Sequence, residues 1–147
     1  MKAYTNLEQS KKLAEMLPLE SADMHWAKDF DGRWFVDLAE YTSVKIPKYV
    51  DKVEEHLLPC WSLAALINLL PSEFTEKGKY SKTTYLICIR KYALTEDVDL
   101  YQIAYGNYKF YEDGNSSWKD MINTGEKENL IDAVFQMICW LKENNKL

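Results

Sequence analysis

Apolar residues recur with a helical period near the start and the end of the chain and alternate with a period of two in between. Leu7, Ser10, Leu13, Ala14 and Leu17 form an i, i+3, i+4 stripe with charges opposite; Thr5 or Asn6 stands where a cap is needed and Pro18 closes the pattern. A first helix is expected there. Ala22, Met24 and Trp26 then alternate with Asp23 and His25, and Trp34, Val36 and Leu38 follow the Asp31-Gly32 turn signal, which predicts a hairpin. Residues 43–58 fit two patterns. Pro47 would open a short helix with Tyr49, Val50, Val53 and Leu57 inward, whereas Val44 and Ile46 alternate; the helix is the favoured reading. Between Pro59 and Pro71 almost every residue is apolar, so a second helix, capped by Ser62 and stopped by Pro71, should be covered on nearly all sides.

Ser72 to Ser81 reads as a linker, and the basic run of Lys77, Lys79 and Lys82 at its end as a solvated turn. Thr83 to Tyr92 is the clearest strand, with Tyr85, Ile87 and Ile89 on one face and Leu86, Cys88 and Tyr92 on the other; two apolar faces mark a central strand. Leu100 to Tyr105 is its expected neighbour, Gly106-Asn107 a hairpin turn into a strand at Tyr108 to Glu112, and Asp113 to Ser117 a loop. Thr124 is placed to cap a last helix, with Glu126 and Glu128 at its positive end and Leu130, Val134, Met137, Ile138 and Leu141 inward; Asn144 or Asn145 should end it. These elements describe one α+β domain over residues 1–147, a mainly antiparallel sheet with helices on one face.

A chain of 147 residues forms a core without metal or disulfide. The three cysteines, Cys60, Cys88 and Cys139, are odd in number and sit in apolar segments, the pattern of buried thiols in a reducing compartment. With no basic stub ahead of a hydrophobic run and no long apolar span, a cytoplasmic location without a membrane partner is expected. The net charge of -5 argues against nucleic acid, whose phosphates require clustered Lys and Arg.

Candidate chemistry is sparse. His25 near Asp23 and Asp31 could act as a general base, but no second histidine has a zinc spacing. Glu54-Glu55-His56 lacks the paired histidines of a metalloprotease helix, because position 52 is lysine. No metal or cofactor is expected. Aromatics, at 14%, are the compositional excess, and Tyr101, Tyr105, Tyr108, Tyr111 and Trp118 are the candidates for a partner-binding face, against the alternative that they are ordinary sheet residues. The expectation is therefore a non-enzymatic protein that binds another protein or itself. An inhibitor or immunity-type protein for a basic enzyme, and a small enzyme using His25, are the alternatives.

The blocks Ser10 to Pro18, Glu20 to Met24, Pro59 to Leu66 and Asp132 to Ile138, the last followed by Leu141 to Asn144, resemble short proteins encoded on phage-like and mobile elements of gut Bacteroidetes. They cover about a third of the chain and leave Trp26 to Leu58 unmatched. The resemblance implies a mobile-element origin and an intracellular accessory role. It carries no activity, substrate or catalytic residue with it.

Overall fold

The computed structural model describes residues 2–29, 31–38 and 57–147. The segment 43–56, with its helix-or-strand ambiguity and His56, lies outside the described residues. The chain is α+β, and its described strands form two antiparallel sheets rather than one, in two compact units divided between Asn68 and Leu69.

In the first unit, α1 (Leu7–Ala14) starts at Asn6. The Asn6 side chain accepts from the Gln9 amide at 2.9 Å and the Gln9 side chain accepts from the Asn6 amide at 3.1 Å, a reciprocal capping box. The helix stops short of Leu17 because the residue before a proline is pushed out of the helical region, yet Leu17 remains buried. Strands β1 (Met24–Lys28) and β2 (Trp34–Leu38) form the expected hairpin, closed by Asp29, whose carboxylate accepts from the Arg33 amide, and by Gly32 at φ +81°.

On the other side of β1 lies β3 (Leu57–Cys60), which places Leu58 opposite Trp26. Residues 57–60 are thus extended, not the end of one helix and the start of the next. Helix α2 (Leu63–Leu69) begins only after Ser62, whose hydroxyl accepts from the Ala65 amide at 3.1 Å as the sequence suggested.

Thr5 ties this unit together. It is wholly buried, its amide donates to the Trp61 carbonyl and its carbonyl accepts from Trp26 Nε1. Its hydroxyl lies 2.7 Å from Ser10 Oγ and accepts from the Trp61 amide at 3.2 Å. Every polar group is matched, as burial requires.

In the second unit the strand order is β4-β5-β6-β7: β4 (Glu73–Lys77), β5 (Lys82–Ala93), β6 (Asp99–Phe110) and β7 (Ser116–Asn123). The expected linker is therefore largely strand β4, whose one apolar residue, Phe74, packs on Tyr85 and Tyr105 at ring distances of 5.5 and 4.9 Å. Gly106-Asn107 is no turn: β6 runs through it, and the chain reverses at Tyr111–Asn115.

Helix α3 (Leu130–Glu143) lies against β6 and buries Ile131, Val134, Met137, Ile138 and Leu141. Its cap is Asn129, not Thr124. The Thr124 hydroxyl is buried and accepts from the Ile103 amide instead, so Glu126 and Glu128 precede the helix. At the other end Asn144 is the C-cap and Asn145 takes φ +53°. The amides of Asn145 and Lys146 then return to the carbonyls of Lys142 and Leu141, a Schellman motif.

Leu66 is wholly buried in α2. Leu66→Ala should lower unfolding stability in urea by about 2–5 kcal/mol; a loss well under about 1 kcal/mol would remove Leu66 from the core.

Candidate functional site

Period-two alternation sorts the five candidate aromatics onto two faces of the four-stranded sheet. Tyr101 and Tyr105 point to the α3 side and are 7% and 0% exposed. The Tyr105 hydroxyl donates to the Pro71 carbonyl, and burial pushes its phenol up. Both are core residues and cannot form an accessible surface. Tyr108 and Trp118 share the opposite face, where they are direct cross-strand partners with rings 5.3 Å apart at 81°. Tyr108 is 56% exposed, Trp118 is half-buried, and Tyr111, 52% exposed at the start of the turn, reaches Ser117 Oγ at 2.9 Å. Phe110, which the sequence reading passed over, is the most exposed of the group at 82%.

A break in register creates this face. Tyr105 pairs with Ile122, but Gly106 pairs with Asp120, so β7 holds one residue more than β6 at that point, a β-bulge. With unbroken alternation Asp120 and Asn123 would point to opposite faces. The bulge puts them on the same one, and Asn123 Nδ2 donates to Asp120 Oδ2 at 3.2 Å.

Asp120 is the centre of the polar network. Arg90, on β5, donates to it through Nη1 at 2.9 Å and Nη2 at 2.6 Å, and Trp118 donates through Nε1. Arg90 Nη1 also donates to Gln102 Oε1 at 2.9 Å, and its guanidinium carbon lies 5.9 Å from the centre of the Trp118 ring. The Arg90 guanidinium, with the Trp118 N–H and the Asn123 amide, holds the Asp120 carboxyl below the usual carboxylate range, against burial that pushes the other way.

Gly106 supplies the space. A Cβ there would stand 2.4 Å from the Lys119 carbonyl oxygen and 2.8 Å from two atoms of the Trp118 indole. The indole therefore lies directly on the β6 backbone, which only glycine permits.

The histidine cluster is not assembled. The Asp23 carboxylate accepts from the Ser62 amide at 2.8 Å and from its hydroxyl, which fixes the start of α2. Asp31 sits in the β1–β2 turn, about 10 Å along the strand from His25 at 3.3 Å per residue. His25 is half-buried opposite Asp37 and Pro59, and burial lowers its pKa. Among the described residues no group of three His, Cys, Asp or Glu could hold a metal ion. A crevice between Ile122, Thr124, Met137 and Trp140 has a volume of about 40 Å³, far below the roughly 300 Å³ of small-molecule sites. No disulfide joins the three cysteines; Cys60 and Cys139 are buried, and burial pushes the Cys60 thiol up. No helix among the described residues is long and apolar enough to cross a membrane. No protein-family model, curated protein or solved structure matches the chain.

Two outcomes test the geometry. Gly106→Ala should cost about 1–3 kcal/mol through overpacking and red-shift tryptophan emission as the indole lifts from the sheet; an unchanged spectrum would mean that Trp118 does not rest on Gly106. Asp120 has a depressed folded pKa, so its contribution is present above the unfolded value of about 3.9 and is lost as pH falls through the lower folded value. The stability advantage of the native chain over Asp120→Asn should therefore be constant near neutrality and shrink below about pH 4. A difference independent of pH in urea titrations would remove the ion pair from the account.

Proposed function

We propose that the chain is a non-enzymatic binding module that works through the β6–β7 face bearing Tyr108, Phe110 and Trp118, with Tyr111 at the adjoining turn, acting on another protein or on a second copy of itself. The observation that carries this reading is the preparation of that face. Trp118 is fixed by a glycine beneath it and a clamped carboxylate beside it, while Tyr108 and Phe110 stand exposed on the same face and Tyr111 at the turn that joins its strands. Rigid aromatics give contact area at low entropic cost, and a preorganised ring loses little freedom on binding. The resemblance of the helical blocks to mobile-element proteins supports an accessory role.

A Tyr108→Ala, Tyr111→Ala variant should fold like the native chain, since both side chains are more than half exposed. It should also lose a partner that the native chain retains when purified from its source at low expression. Light scattering on both forms separates self-association from a second protein. A native chain that is monomeric and purifies alone, or a variant that keeps the same partner, would sink the proposal.

A further inference from the structure

The two hairpins of the four-stranded sheet part company at one end. Pairing between β5 and β6 stops at Leu86↔Gly106, next to the bulge, so Lys82–Tyr85 are held only by β4 and Asn107–Phe110 only by β7. Because neighbouring strands are antiparallel, the Gly78–Ser81 turn of the first finger and the Tyr111–Asn115 turn of the second lie at the same end of the sheet.

That end is basic and aromatic in a chain of net charge -5. Lys77, Lys79, Lys82 and Lys109 are all exposed, and among the described residues none is paired with a carboxylate. Tyr80, 89% exposed, carries Lys79 Nζ over its ring at 5.2 Å, and Phe110 and Tyr111 stand on the other finger. Three carboxylates accompany them, Glu76, Glu112 and Asp113. Glu76 is paired with Lys146 at 2.9 Å, and Asp113 is turned onto its own loop, where it accepts from the amide and side chain of Asn115. Acidic residues collect at the other end of the sheet, where the β5–β6 turn holds Glu96 and Asp97 and β6 starts at Asp99.

We infer that the forked end docks a carboxylate-rich segment of a partner protein. The four lysines steer and neutralise it while Tyr80, Phe110 and Tyr111 supply the apolar contact. This rests on the binding-module reading and gives its partner a chemistry: the docked surface is acidic, opposite to what the net charge of the whole chain would select. Charge complementarity of this kind raises the association rate and is screened by salt.

Fluorescein-labelled poly-L-glutamate is the probe, followed by anisotropy with the full chain. Binding should weaken about tenfold from low to physiological salt. Lys79→Glu, Lys82→Glu should weaken it at least about tenfold, whereas Lys11→Glu, Lys12→Glu on α1, the same change of charge, should stay within about twofold. Equal losses in the two variants, or tighter binding of oligothymidylate or of phosphatidylserine vesicles than of poly-glutamate, would overturn the inference. A Lys79→Glu, Lys82→Glu chain that keeps a partner lost by Tyr108→Ala, Tyr111→Ala would also overturn it, while leaving the binding face itself in place.

Discussion

The extra residue in β7 opposite the Tyr105–Gly106 step is the constraint on which the exposed face of the second unit depends. One inserted residue inverts the alternation of everything N-terminal to it on that strand. Trp118 and Asp120 therefore join Asn123 and Arg90 on one side, and Ile122 stays with Tyr105 on the other. The inversion works only because the facing residue on β6 is glycine. Any larger side chain at position 106 would collide with both the β7 backbone and the indole. Bulge, glycine, tryptophan and carboxylate thus form one device, in which the Arg90–Asp120 pair braces the ring.

The covered face obeys a simpler rule. Tyr101, Ile103 and Tyr105 project from β6 toward α3, and Phe74 brings β4 into the same aromatic group, with Trp140 of the helix at 6.2 Å. Lys146, folded back by the left-handed Asn145, lies 5.1 Å above Phe74 and pairs with Glu76 at 2.9 Å. The short strand β4 is held to the sheet by its ladder with β5 and to the chain end by this one lysine.

Much of this was legible in the residues. The α+β class, the first and last helices, the β1–β2 hairpin, the Ser62 cap and the central position of β5 all follow from periodicity and capping. What failed did so for physical reasons. The Ser72 to Ser81 segment has only Phe74 on its buried side, so alternation could not mark it as a strand. The Gly106-Asn107 pair has turn chemistry but is used for close approach between strands, which a local rule does not see. Thr124 has the residue type of a cap but spends its hydroxyl on the Ile103 amide. Of the candidate face, Tyr108, Tyr111 and Trp118 could be singled out as aromatics. That Tyr101 and Tyr105 belong to the core was already implied by their shared parity with Ile103 along β6. The Arg90–Asp120 clamp left no sequence signal, because its members stand 30 residues apart and meet only through the strand pairing that sets the bulge.

The buried hub at Thr5 has a consequence for the order in which the chain acquires its structure during synthesis. Its hydroxyl is matched by the Trp61 amide, 56 positions later. At about 5–20 residues per second, that partner emerges roughly 3–11 s after Thr5. Through that interval α1 has its own capping box but no Trp61 to seat against, and a short helix alone is marginal in water. The hydrogen bonds that complete Thr5 therefore cannot form before Trp61 has left the ribosome.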